Sequence, residues 1–157
     1  MILNVSLLLS SGFLGIFLGA QLMEALLFVP AWKALKADDF FDFYHKYGKK
    51  IHRFFSPLTV ITKAISLWTV GYSFTQANMY SLLFGLMGFA TLAFFSTYFL
   101  YFKQANKRFF ERGFTDEQLP SELRKWGYWH WTRIFFELVA LCLSLFLLME
   151  QAGYISS

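Results

Sequence analysis

Apolar residues gather in four long runs, at 4–29, 54–74, 80–102 and 129–149, and the stretches between them collect charge, glycine and proline. Wound as α-helix at ~1.5 Å per residue, each run reaches across a hydrocarbon layer ~30 Å thick. The pattern therefore predicts four transmembrane helices and no strands, in a single integral membrane domain covering 1–157. A more polar segment from about residue 121 leads through Trp126 into the last run, so the fourth helix is expected over 121–149. No basic residue precedes the first run, and it is longer than a signal-peptide core; it is expected to remain as a helix of the mature chain.

Two connections have texture of their own. Between helices one and two, Asp39 is placed to cap a short helix carrying Phe40, Phe41, Phe43, Tyr44 and Tyr47, with Gly48 as its stop. That segment is expected at the membrane interface with its aromatic side down. Between helices three and four, Gly113, Thr115, Asp116, Glu117 and Pro120 mark a turn before the next helix starts. The fold class expected is thus all-α: a four-transmembrane-helix bundle with a short interfacial helix between helices one and two. Gly12, Gly15 and Gly19 on helix one, and Gly85 and Gly88 on helix three, suit close approach of neighbouring helices.

Composition agrees: 57% of the 157 residues are hydrophobic and only 15% charged, more apolar surface than a soluble domain of this size can hide. The 21 phenylalanines favour an interior suited to flat or lipid-like molecules over a hydrated ion pore. Cys142, the lone cysteine, stands in an apolar run, has no partner for an internal disulfide and is expected as buried packing. The net charge of +4 argues for topology and not for nucleic acid, because the basic residues crowd into two loops beside the spans. Lys33, Lys36, Lys46, Lys49, Lys50 and Arg53 lie between helices one and two; Lys103, Lys107, Arg108, Arg112, Arg124 and Lys125 lie between three and four. The termini and the turn at 75–79 hold none, so both loops are expected in the cytoplasm, next to anionic lipid headgroups, and both termini on the other side.

Polar residues inside the spans carry the functional reading, since an ionisable side chain in hydrocarbon costs a few kcal/mol, ~2.5–3.5 on insertion scales, and needs a partner or a wet cavity. On helix four, Trp126, His130, Arg133 and Glu137 are spaced by four, three and four, which at ~100° per residue stacks them in one stripe. His52, Ser56, Thr59 and Lys63 repeat the spacing on helix two, and Gln21 and Glu24 neighbour each other on helix one. Most of these positions fall in the half of the bundle nearest the basic loops, with Lys63 and Glu137 deeper, so a funnel of facing side chains is expected there. The bland alternative is that Glu24, Lys63, Arg133 and Glu137, whose charges sum to zero, only neutralise one another. Hydrophobic packing would do that work without desolvating ions, and histidines accompany the charges, which favours a pocket.

His52 and His130, if they face that pocket, are candidate general bases; the other readings open to them are residence at the interface and ligation of haem or a metal. No HxxxH, ExxH, CxxC or CxxCH occurs, which ranks a metal-free site first.

The Phe55, Ser56, Pro57, Leu58 segment, Asn106 after helix three, and Trp126, His130 and Arg133 opening helix four resemble, in order and position, the anthrone oxygenase-like family of four-helix membrane proteins. That resemblance implies a cofactor-independent oxidation of polycyclic anthrones by molecular oxygen, with pocket roles for Asn106, Trp126, His130 and Arg133 and a less secure one for His52. The chemistry needs only a base and a cationic clamp, because a deprotonated phenol or anthrone can reduce oxygen. His130 or His52 would take the proton, Arg133 or Lys63 would hold the anion, and Trp126 would stack on the ring. Glu24 or Glu137 would orient His130, while Gln21 and Thr59 complete the binding wall. The expected function is a membrane-embedded oxidoreductase acting on a lipophilic substrate. Its rivals are a lipid or amphiphile binding or transport protein that performs no reaction, and a haem or metal protein. Substrate identity and self-association stay open.

Overall fold

The computed structural model describes residues 1–76 and 79–153. It consists of four long helices, α1 (Ile2–Ala34), α2 (Ala37–Ser73), α3 (Ser81–Phe110) and α4 (Leu119–Gln151), each long and apolar enough to cross a membrane. Each packs mainly against two neighbours, in the ring α1, α2, α3, α4 and back to α1. The chain is therefore a multi-pass integral membrane protein with the all-α four-helix architecture its periodicity predicts.

One end of the bundle holds both termini and the α2–α3 turn: the Asn4 side chain reaches the Gln151 carbonyl at 3.5 Å, and the Tyr80 hydroxyl bonds the Glu150 carboxylate at 2.5 Å. The opposite, basic end holds the other two connections, tied by Arg112 to Asp38 (3.2 Å) and Asp42.

In the termini half the helices are stitched by small hydroxyls. Ser10 and Ser66 hydroxyls lie 3.2 Å apart, those of Ser11 and Ser144 2.8 Å apart, and Thr69 donates to the Ser6 carbonyl at 3.1 Å. Such pairs give helices in lipid a specific register where the hydrophobic effect gives none. Gly12, Gly15 and Gly19 do not serve the close approach expected of them: a Cβ at any of the three would meet nothing within 4 Å. The serines on the other side of α1 make that contact instead. Gly88 does serve it, since a Cβ there would stand 3.1 Å from Val70 Cγ1 of α2, whereas Gly85 faces open space. Cys142 is exposed, so it points at lipid and not into the core as expected.

At the basic end, the segment expected as a separate interfacial helix is helical but not separate. α2 runs unbroken through Gly48 for 37 residues, ~55 Å of helix, well beyond the hydrocarbon thickness. Glycine in a helix interior costs only ~1 kcal/mol, and the Tyr44 ring lies against the space a Cβ would occupy, at 3.2 Å. Asp39 does not cap; Lys36 stands at the N-cap without a side-chain bond, and Asp38 and Asp39 sit in the first turn, where their charge favours the helix dipole. The aromatic face turns onto the protein and not onto lipid: Phe40 and Phe41 are buried in one cluster with Trp32, Phe102, Phe109 and Trp126.

Two π-helical turns interrupt the helices, Glu24–Phe28 in α1 and Tyr98–Phe102 in α3, closed by the Val29 N–H on the Glu24 carbonyl and the Lys103 N–H on the Tyr98 carbonyl. In α1 the wide turn precedes Pro30, which has no N–H to give and whose ring crowds the carbonyl four residues back.

Candidate functional site

Both π turns flank the same space, a cavity of about 270 Å³ in the basic half of the bundle. Single π turns recur beside functional sites because they re-aim side chains without ending the helix.

Seven of the polar-stripe and loop residues singled out from the sequence line this cavity: Glu24, His52, Ser56, Thr59, Asn106, Trp126 and Arg133. The polar stripes of α1, α2 and α4 thus converge as their spacing predicts. The other four, Gln21, Lys63, His130 and Glu137, form a second, sealed layer behind the wall, each at most 3% exposed.

The sealed layer centres on an ion pair between Lys63 and Glu137. The Lys63 ammonium also lies 3.8 Å from the centroid of Phe94, a ring that faces the cavity. His130 Nε2 is 3.0 Å from the Gln21 carbonyl oxygen. A carbonyl only accepts, so Nε2 carries a hydrogen and donates it; Nδ1 is buried without a partner. The imidazole stacks on Trp126, with centroids 5.0 Å apart and planes at 17°, and its Nε2 lies 3.8 Å from a Glu24 carboxylate oxygen. This placement corrects the expectation that His130 faces the pocket as a base. Helix phase puts it in the right stripe, but the bulk of Trp126 screens it from the cavity.

Trp126 is fixed on all sides. Its indole N–H donates to Asn106 Oδ1 at 2.9 Å, which fixes the orientation of that amide, and its ring meets Trp32 and Phe102 edge to face at 5.5 and 5.2 Å. One of its two faces is already taken by His130, so it walls the cavity more than it offers a stacking platform.

Arg133 reaches between the rings of Phe94 and Phe102, its guanidinium carbon 4.5 and 4.6 Å from their centroids. Aromatic faces stabilise a cation by about 2 kcal/mol when water is excluded. Its Nε–H is buried with no protein acceptor, and so is the indole N–H of Trp32, another residue of the wall. Glu24 is buried, and among the described residues its carboxylate makes no ion pair closer than the 3.8 Å contact with His130. The cavity therefore presents one carboxylate and two unspent N–H donors within an aromatic enclosure.

His52 stands exposed at the rim, and the Thr59 hydroxyl donates to its own helix at the Phe55 carbonyl, 2.8 Å away. His52 thus lines the cavity, and His130 lies behind its wall. Among the described residues no group of three or more His, Cys, Asp or Glu side chains is assembled to hold a metal ion.

Sequence reasoning passed over α3, which has no charge in its apolar run. Yet Phe94, Tyr98 and Phe102 form one side of the cavity. Their spacing of four, which repeats to Asn106, is the signal that would have found them. Trp32 was missed because it lies in a connection by hydropathy, although it is only 4% exposed. No family model, curated protein or solved structure matches the chain.

Proposed function

We propose that the cavity takes a lipophilic, ring-bearing molecule with an acidic hydroxyl or enol, and that the protein acts on it as a membrane-embedded oxidoreductase of the oxygenase type. In this reading the basic loops face the cytoplasm and both termini the opposite side, as their lysine and arginine distribution favours. One observation carries the chemistry: Glu24, Trp32 Nε1 and Arg133 Nε stand in the wall of a single aromatic cavity with their hydrogen-bonding capacity largely unspent.

Glu24 takes the proton of the substrate hydroxyl, and the oxyanion formed accepts hydrogen bonds from Arg133 and Trp32. The negative charge passes from carboxylate to substrate beside an existing guanidinium, so the site's net charge does not change. In a dry enclosure such donors stabilise an anion far more than water-exposed ones do. The electron-rich anion then adds molecular oxygen at its ring CH carbon, the peroxide formed takes back the proton from Glu24, and loss of water with the remaining C–H proton leaves a carbonyl, so one CH2 and one O2 give one C=O and one H2O. His130, screened behind Trp126, takes no proton here: it backs the indole that walls the cavity, its Nε2–H given to the Gln21 carbonyl.

The screened position of His130 also favours a second reading, in which the site binds an amphiphile and performs no reaction. Oxygen uptake by protein in lipid nanodiscs, supplied with polycyclic phenols and anthrones, separates the two. The oxidoreductase reading expects uptake above the spontaneous rate that falls at least tenfold in Glu24→Gln. Binding of those compounds without added uptake selects the carrier, and absence of binding refutes both.

A further inference from the structure

The wall of the cavity is not closed on all sides. Val60 of α2 and Phe95 and Phe99 of α3 line it, yet they are 57%, 39% and 61% exposed, on the outer surface of the bundle. The reason lies in how α2 and α3 meet. Toward the termini, Gly88 lets α3 close onto Val70. Beyond that contact the wall residues of the two helices include Phe55, Phe95, Tyr98 and Phe99, large rings in place of a glycine. At the basic end the helices meet again, Phe109 of α3 lying 5.2 and 5.6 Å from the Phe40 and Tyr44 rings of α2, so the gap is a window in the side of the bundle.

The level of that gap is within the membrane. Val60 stands seven residues from Arg53, ~10 Å along α2, and less than one turn from Lys63 of the sealed layer. Phe99 stands four residues from Lys103, ~6 Å along α3. The mouth thus faces acyl chains and not water or headgroups.

Polarity is graded along the same line. Glu24 is buried, as are the N–H groups of Trp32 and Arg133; the side chains Val60, Phe95 and Phe99 at the lateral opening are hydrocarbon, and the exposed imidazole of His52 marks the rim at the basic end. The cavity's 270 Å³ falls just below the ~300–1,000 Å³ usual for pockets that enclose a whole ligand. It has room for a ring system and none for a long chain as well.

We infer that the substrate is a tailed amphiphile, a hydroxylated ring head held by Glu24, Trp32 and Arg133 whose hydrocarbon chain leaves between α2 and α3 and stays in the leaflet at the basic end. The inference rests on the ring-binding reading above and adds the substrate's class and its lateral route. Because the tail never leaves hydrocarbon, a tailed and a tailless head should bind equally well when concentration is counted within the bilayer.

Equilibrium binding to the full chain in phosphatidylcholine nanodiscs tests this with two tritiated probes, a naphthol and the same naphthol bearing a dodecyl chain. Wild-type protein is expected to bind both within threefold, per mole of probe in the bilayer. Val60→Trp, at an exposed position that leaves the core intact, is expected to weaken the dodecyl probe at least tenfold and the naphthol less than threefold. Ile61→Trp, exposed on the same helix but outside the cavity wall, should change neither. A dodecyl probe carrying a mid-chain diazirine should photolabel Val60, Phe95 or Phe99. Binding of the naphthol alone, equal or no effect of Val60→Trp on the two probes, or labelling confined to other faces would overturn the lateral route while leaving the ring site. If neither probe binds, the ring site fails and takes the inference with it.

Discussion

Replacing Lys63 by methionine keeps the length of the side chain, removes its charge and strands Glu137 in the interior. Glu137 is 0% exposed; one carboxylate oxygen pairs with Lys63 and the other has no protein partner. Arg133, one turn away, is engaged with the rings of Phe94 and Phe102. Breaking a buried pair from one side costs about 3–5 kcal/mol, because the remaining ion keeps its desolvation penalty and loses its compensation. At ~1.4 kcal/mol per decade, the unfolding equilibrium should shift by a hundredfold or more. The double variant Lys63→Met, Glu137→Met removes both ions and leaves Glu24 and Arg133 balanced. It is expected within about 1 kcal/mol of wild type, since apolar residues of similar volume replace such pairs at little cost. Tryptophan fluorescence during denaturation with sodium dodecyl sulfate, applied to the full mutant cycle, gives the coupling directly. A double variant as unstable as either single, or a Lys63→Met variant within about 1 kcal/mol of wild type, would refute the claim that these two groups sustain each other.

Further outcomes follow from single contacts. Gly88→Ala should destabilise by about 1–3 kcal/mol, because its Cβ would stand 3.1 Å from a stiff, buried valine, and Val70→Ala should recover most of that loss in the same denaturation assay. Cys142, exposed within an apolar span, should resist maleimides in intact vesicles, because the reactive thiolate does not form in hydrocarbon, and should react once the protein is unfolded in detergent; ready labelling of intact vesicles by a charged maleimide would place that face of α4 in water. Reporter fusions to either terminus should be active only on the non-cytoplasmic side, and activity in the cytoplasm would reverse the assigned orientation.

Spans and polar stripes were readable because both follow from one rule, the high cost of unpartnered polarity in hydrocarbon, acting through the helix period. Glu24, Arg133 and Trp126 reach the cavity on that logic alone. Periodicity gives the angle at which a side chain leaves its helix, but not what stands in front of it, which is why His130 was expected in the cavity and lies behind an indole. The aromatic wall of α3 carries no charge to betray it. Gly48 has the composition of a stop, yet the packing of Phe40, Phe41 and Tyr44 against the rest of the protein outweighs a local preference worth ~1 kcal/mol. Glycines on α1 read as a contact face, while the serines that turn toward the neighbouring helices hold the contact because they add hydrogen bonds to small size. The π turns have no sequence signature beyond Pro30.

Phe94 has one further consequence. Its ring borders the cavity on one side and the Lys63 ammonium on the other, and it is 1% exposed. A single benzyl group is therefore the partition between the cavity and a layer sealed around full charges. Whatever molecule settles in the first leans on that partition, so the protein's internal electrostatics and its guest share a common wall.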